Sequence, residues 1–339
     1  MANYKELTAS ITGVTTPLAV NITQSHDAAC AIANIVCKDT TLDIGSAITA
    51  SLGYGGVNTK AFEGYVKSVE KKTPQGVYTI TAHDTLTRAV DFFIVSPTPA
   101  SGYKFKNITA HALIQQLMEM AGLHSFDFDN TFFTLGINNE FEVNLVSAYD
   151  YSRMISDLIA WTVWSDKDGV VHLKNRKPYP MFGTSGQPGD VADVSVATFT
   201  DDDIFEVTYA FNEKDLRNKV CIYGAEDLYK EASSATSYDP ATGGYRVILP
   251  AGFYKAMVLA SPLIDSATFA QNAVNYNLQL FNRVYYQCPF SIEGDASIQA
   301  RDLITINSTK SSISKNFYVF QCEQNWSSGG YVTNLLLTL

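Results

Sequence analysis

At 339 residues the chain exceeds what one hydrophobic core ordinarily serves, roughly 250 to 300 residues, so more than one domain is expected. A formal net charge of −10 supplies no basic footprint for displacing counterions from phosphates, which argues against a free-standing nucleic-acid binder. Charged residues are only 17% of the chain while Tyr and Phe number 19 each, a balance suited to apolar cores and aromatic-rich subunit interfaces.

Residues 1 to about 95 read as short strands separated by turn signals. Ala47 to Tyr54, Ala61 to Val69 and Gly76 to His83 each alternate apolar and polar positions, and Thr73-Pro74-Gln75-Gly76 supplies the dihedrals of a tight reversal between the last two. Strands so closely spaced imply an antiparallel barrel or sandwich. Ser96-Pro97-Thr98-Pro99 reads as a stiff linker. A helix follows, with Thr109 as N-cap, an apolar stripe of Leu113, Leu117, Met120 and Ala121, and Gly122 as stop. A second helix starts after Ser147, with Asp150 completing a capping-box-like pattern, and carries Met154, Ile155, Leu158 and Ile159. Thr162 to Leu173 reads as a hairpin across Asp168-Gly169.

Gly183 to Asp190 is a second linker, after which strands return at Ile204 to Phe211 and Asn218 to Gly224. A polar loop, a strand at Tyr245 to Leu249 and a helix capped by Asp265 and running to about Arg283 interrupt them. Strands then continue from Tyr285 to the end. The resulting expectation is a mainly β, α+β chain with two antiparallel β-barrel domains, the second split. The first barrel is placed at 1–95, a small α/β domain at 96–182, the second barrel at 183–224 and 285–339, and an inserted helix-containing segment at 225–284.

Cys30, Cys37, Cys221, Cys288 and Cys322 are odd in number and contain no CxxC pair, so they read as buried thiols in a reducing cytoplasm. The opening MANYKELTAS has no signal-peptide core and no run of about 18 apolar residues occurs, so a soluble protein made in the cytosol, without a membrane partner, is expected.

The stretch Leu52 to Lys72 contains Gly53, Gly55 and Gly56, which could cradle a phosphate. No Gly-Lys-Ser/Thr follows, the spacing is not GxGxxG and no helix comes next, so the glycines read as a turn; Gly64 then marks a bulge or a close backbone approach. Asp166-Lys167-Asp168-Gly169 lacks the later ligands of a calcium loop, since positions 170 and 177 are Val and Lys, and reads as a hairpin turn. Asp201-Asp202-Asp203 has no His partner nearby and reads as a solvated run. His26, His83, His111, His124 and His172 are dispersed without HExxH, and His83-Asp84 has neither GxSxG nor a papain-like cysteine beside it. No catalytic, cofactor or metal residue is therefore assigned. A carboxylate pair meeting across a barrel mouth, as in glycosidases, leaves no spacing signature and stays open. Trp161, Trp164 and Trp326 read as core packing, where a sugar platform would need them clustered on a surface.

The order of the features carries a resemblance. Phe62, Gly64, Val66, Ser68 and Val69, followed by Ile80, Asp84, Leu86 and Arg88, are similar to the F-x-G-x-V-x-S-V … I-x-x-x-D-x-L-x-R segment of the late control protein D family, the baseplate hub proteins of contractile-tailed phages. Ala110 to Gly122 resembles the family's next helix, Ala148 to Leu173 its helix and hairpin, and Glu213 to Gly224 its l-x-N-x-V-x-V-x-G strand. Ser291 to Ile306 resembles its final barrel, except that Arg301 stands before Asp302 where Gly is usual. The resemblance implies a non-enzymatic homotrimer of two related barrels per chain, six in a ring, joining the tail tube protein to the central spike among other baseplate proteins. It places the protein in the virion tail after assembly in the host cytoplasm, with DNA passing through the lumen without specific binding and no cofactor. Two alternatives are a β-rich tail protein that binds or cleaves polysaccharide, and the hub of a related bacterial injection system or bacteriocin.

Overall fold

The computed structural model describes residues 6–96, 102–177 and 194–339; the expected linker prolines Pro97 and Pro99 and the segment Gly183 to Asp190 lie outside the described residues. Six strands begin the chain: β1 (Leu7–Ile11), β2 (Pro17–Ser25), β3 (Ile32–Cys37), β4 (Ala47–Tyr54), β5 (Val57–Lys72) and β6 (Val77–Asp84). Their spatial order is β1-β4-β5-β6-β3-β2, with every pairing antiparallel. Alternation drives this arrangement: Ala33, Ile35 and Cys37 of β3, Ile48, Ala50 and Leu52 of β4, and Ile80 and Ala82 of β6 all point into one core. Tyr54 pairs with Val57 across Gly55 and Gly56, whose φ values of 59° and 81° are both positive, as the tightest hairpin turns require. At Gly64 a Cβ would lie 2.0 Å from the carbonyl oxygen of His83, so β5 and β6 approach each other more closely there than any side chain allows.

A mixed unit follows: α1 (Thr87–Asp91), β7 (Phe93–Ile94), β8 (Tyr103–Phe105), β9 (Ile108–Thr109), α2 (Ala110–Met120), β10 (Phe126–Phe128), β11 (Thr134–Leu135), β12 (Phe141–Val143), β13 (Val146–Ser147), α3 (Ala148–Leu158), β14 (Trp161–Ser165) and β15 (Val171–Asn175). Thr109 precedes α2 in an extended conformation but its hydroxyl makes no capping bond, and Gly122, at φ 78°, takes the chain out of the helix. Ser147 does cap α3, its hydroxyl accepting from the Asp150 N–H at 3.0 Å. β14 and β15 form the hairpin, with β10 added parallel to β15.

The remaining strands are β16 (Ala197–Thr200), β17 (Ile204–Val207), β18 (Ala210–Asn212), β19 (Lys219–Tyr223), β20 (Tyr229–Ser233), β21 (Ser237–Asp239), β22 (Gly244–Arg246), β23 (Ala256–Ala260), β24 (Tyr285–Glu293), β25 (Leu303–Ser308), β26 (Ile313–Ser327) and β27 (Gly330–Thr338), with α4 (Ala267–Phe281) before β24. β16 to β18 and β24 to β27 surround a second β core built on Phe290, Ile304, Ile306, Phe317, Leu335 and Leu337. β19, expected in that barrel, pairs instead with β20 and β23. Its alternation identified a strand but carried no information about which sheet receives it. The helix cap also differs: Ser266 caps α4 by accepting from the Phe269 N–H, while the Asp265 carboxylate turns outward to accept from the backbone of Ile137, Asn138 and Asn139. α4 places Phe269, Ala270, Ala273 and Val274 in the same core as Leu113, Leu117, Ile155 and Trp161, so the interrupting segment packs onto the mixed unit.

The two β units repeat one plan. β16-β25-β26-β27-β24-β17 follows the order of β1-β4-β5-β6-β3-β2, strand for strand. Irregularities recur at matching places: the ladder skips Leu18 in β2 and Phe205 in β17, and Lys67 in β5 and Phe320 in β26. One strand departs, since β1 runs antiparallel to β4 whereas β16 runs parallel to β25. The long interruption 213–284 enters between the counterparts of β2 and β3.

Candidate functional site

The two units are joined by a ladder. β2 pairs with β3 on one side and on the other with the second half of β26, from Ala19 opposite Ser327 to Ser25 opposite Gln321, which makes one continuous sheet of both units. Asn21 locks the register by donating from Nδ2 to Glu323 at 2.7 Å and to Asn325 at 2.8 Å. Trp326 and Tyr331 reach across and complete the first core. At the far end the His26 N–H donates to the Phe320 carbonyl at 2.8 Å and the His26 ring stacks on Phe320 at 5.6 Å.

Burial holds His26 neutral, pulling it down to about 4, while its bond to Asp27 helps hold that carboxyl down at about 2. Asp27 also receives Arg176 at 2.5 Å. These residues line one end of a cavity of about 430 Å³ between the segment after β2, the end of α4, β24 and β27, which also presents Arg217, Arg283 and Tyr286. Beside the ladder, the Arg301 guanidinium lies 4.4 Å from the Trp164 ring and donates to the His26 carbonyl at 2.7 Å, tying the second unit to the mixed unit and to the end of β2. Burial lowers it to about 9.

Where β2 has both edges paired, its counterpart β17–β18 has β24 alone among the described residues. Phe205 and Phe211 on this edge are 64% and 66% exposed. Likewise, where the second half of β26 is paired on both sides, residues 68–72 of β5 have only β6, because the β4 ladder ends at Tyr65. An unpaired row of N–H and C=O groups can template another strand, as can the free edges of β1 and β16, which pair with β4 and β25 alone among the described residues.

The residues weighed for chemistry serve architecture. Asp84, 3% exposed, spends its carboxylate on the Ala31 and Leu86 N–H groups at 2.7 and 3.0 Å, and burial pushes it up to about 7. Burial and the Asp84 carboxylate together push the neighbouring Cys30 thiol far up, which leaves it unreactive. Asp166 accepts from Asp168 and Val170 N–H, both at 2.9 Å, and closes the hairpin. Asp201 takes the Thr309 N–H at 3.1 Å and the Ser308 and Thr309 hydroxyls, bracing the β25–β26 turn. His172 lies between Asp127 and Asp166, His111 accepts from the Thr131 N–H at 3.1 Å, and His83 sits within β6. Trp161 and Trp326 are buried and Trp164 is sandwiched between Arg301 and His172, so the three form no sugar platform. Phe62, Val66, Ile80 and Leu86 are core residues, and Arg88 covers the Tyr65 ring at 4.4 Å. Among the described residues no group of three or more His, Cys, Asp or Glu is placed to hold a metal, and no helix is long and apolar enough to cross a membrane. Sequence reasoning missed the open edges: an exposed Phe in a strand pattern looks the same as a core Phe until the pairing is known.

No protein-family model matches the chain, and no curated protein matches it by sequence. Solved structures do match in fold, and they are phage tail proteins and components of related injection machines. The tail protein from Neisseria meningitidis MC58 aligns over 98% of this chain and 96% of its own, with a TM-score of 0.66 and 11% identity. The 43 kDa tail protein of prophage MuSo2 from Shewanella oneidensis aligns over 98% of both chains, with a TM-score of 0.66 and 10% identity. An Escherichia coli component of the type VI secretion system, described as similar to T4 bacteriophage tail proteins gp27 and gp5, aligns over 97% of this chain and 76% of its own, with a TM-score of 0.56 and 7% identity. The fold is therefore the β-rich fold of these tail proteins, in agreement with the resemblance carried by Phe62 to Arg88.

Proposed function

We propose that the chain is the structural central hub of a contractile-tail baseplate, three copies of which close six barrels into a ring between tail tube and spike. The observation that carries this reading is the repetition of one strand plan twice in a single chain, with the copies already joined edge to edge by β2 and β26. A trimer of such a chain presents near-sixfold geometry to a tube and threefold geometry to a spike, and closed rings are the ordinary outcome of head-to-tail contacts that close. The role is non-enzymatic, with the tube protein, the spike protein and other baseplate proteins as partners. Its place is the virion tail, reached by assembly in the host cytoplasm, and DNA crosses the lumen without specific contacts. The fold shared with tail proteins over nearly the full length supports it.

The same hub in a bacterial injection system is the second reading, favoured by the likeness to the Escherichia coli secretion component. The test is co-purification with the neighbouring tail proteins followed by solution mass and symmetry averaging. A trimer near three times 37.2 kDa, seated between tube and spike, is expected. A stable monomer that binds or cleaves polysaccharide overturns the reading.

A further inference from the structure

The ladder between β2 and β26 is a template for a contact the single chain cannot make. The internal repeat assigns each of its residues a counterpart. Matching skipped residues Leu18 with Phe205 sets β2 on β17–β18, and matching Lys67 with Phe320 sets β5 on β26. The counterparts of the paired edges are themselves open among the described residues, at 208–212 and 68–72. On the chain's own sheet they belong to different units, with β17 at the end of the strand path and β5 near its start.

We propose that β17–β18 of one copy pairs antiparallel with the second half of β5 in the next copy, repeating between chains the ladder that β2 and β26 make within one. The proposal rests on the ring reading and names the surfaces that close it. Ser25 faces Gln321 and Gln24 faces Cys322 in the template, so Asn212 faces Ser68 and Phe211 faces Val69; further along, Ala210 faces Glu70, Tyr209 faces Lys71 and Thr208 faces Lys72.

The side chains suit this register. Val69 packs against the rim of the first core, in the position where Cys322 meets the second, so the exposed Phe211 gains an apolar seat. Glu213, which accepts from Lys255 within the chain, takes the place of His26, and Lys67, which pairs with Asp91, that of Phe320, so opposite charges stand where the intrachain ring stack is. Asn212 and Ser68 are both small and polar. A second copy is the occupant because these edges match each other as β2 matches β26, and because three such contacts leave none of these edges open.

The test is a full-length chain carrying Ser68→Cys and Asn212→Cys, mixed with the neighbouring tail proteins and oxidised mildly, beside wild type with its own cysteines and an off-register variant with Ser68→Cys and Ala210→Cys. A covalent trimer on a non-reducing gel is expected from the in-register pair, with at least fivefold less from the other two. Trimers by solution mass that crosslink no better in register than out of register overturn the edge pairing and leave the ring reading standing. Absence of any oligomer with tube and spike components present overturns the ring reading and the pairing with it. Phe211→Glu is the second measurement: it leaves monomer unfolding in place and lowers trimer yield at least tenfold, and unchanged yield overturns the proposal.

Discussion

Arg301 and Gly45 occupy the same backbone position in the two halves of the repeat. Their φ values are 80° and 83°, their N–H groups donate to Val319 and Val66 carbonyls, and those two residues donate back to Asp302 and Ser46. The sequence resemblance marked Arg301 as standing where Gly is usual, and the structure shows that the left-handed turn is retained. A side chain is accommodated there because the guanidinium reaches Trp164 and the His26 carbonyl.

Two opposing terms at one residue make a separable prediction. A non-glycine residue in the left-handed region costs about 1–2 kcal/mol, while the guanidinium sets a charged hydrogen bond and a ring contact against the cost of burying its charge, the cost that lowers it to about 9. Arg301→Ala keeps the strain and loses the contacts, whereas Arg301→Gly loses both. Urea unfolding is expected to rank Arg301→Gly above Arg301→Ala by about 1 kcal/mol. The reverse order of the two variants defeats the argument. Gly45→Ala isolates the backbone term, since nothing lies within 4 Å of a Cβ there, and should cost about 1–2 kcal/mol.

Gly64 tests the opposite situation. Its backbone is ordinary for a strand, but a methyl group would overlap the His83 carbonyl oxygen at 2.0 Å. Gly64→Ala must push β5 off β6 and is expected to cost about 3 kcal/mol. Gly55→Ala, in the open turn with nothing within 4 Å, should cost about 1–2 kcal/mol. Equal losses would mean that the close approach is not what glycine is needed for.

These glycines show what was legible. Alternation located β4 to the residue and β5 and β6 to within a few, and turn chemistry placed Gly55, Gly56 and Gly122, because those signals are local. That the two barrels are related entered through the family resemblance alone, and their strand-for-strand correspondence was not legible. It is carried by backbone geometry, with Gly45 matched to Arg301 and Lys67 to Phe320, so no residue-level similarity betrays it. The strand β19 and the cap at Asp265 were misplaced for a related reason, since sheet membership and the target of a carboxylate are set by tertiary neighbours. The open edges at Phe211 and Val69 emerged only once pairing was known.

Two buried groups give the fold opposite responses to acid. His26 is held down at about 4, so between its ordinary 6.5 and 4 the unfolded chain takes up a proton that the folded chain refuses, and stability falls as pH falls. Asp84 is held up at about 7, so as pH rises from its ordinary 3.8 the unfolded chain ionises first, and stability falls as pH rises. In the wild-type profile the two responses overlap with opposite sign, together with those of Asp302, raised to about 6 by burial, and Asp27, lowered to about 2 by its bond to His26. His26→Phe, which preserves stacking on Phe320, should gain on wild type by about 1–3 kcal/mol between pH 7 and pH 4.5. Asp84→Asn should gain on wild type in the other direction, between pH 4.5 and pH 8. Parallel profiles for all three proteins in urea unfolding would remove both assignments.

The joint between the two β units rests on Asn21, whose amide donates to both Glu323 and Asn325. Asn21→Asp replaces two donations by a second carboxylate diagonally across from Glu323, and should cost about 1–3 kcal/mol at pH 7. Asn21→Ser removes the donations without adding charge and should cost less, about 1 kcal/mol. The difference between the two variants is electrostatic, so it should shrink near pH 4, where carboxylates begin to protonate, and in high salt. If the loss is confined to the ladder, the Asn21→Asp chain should open the β2–β26 amides to hydrogen exchange before those of β4 and β6. A gap that persists unchanged at pH 4 and in high salt would show that Asn21 sets the register by shape, with the charge of Glu323 playing no part.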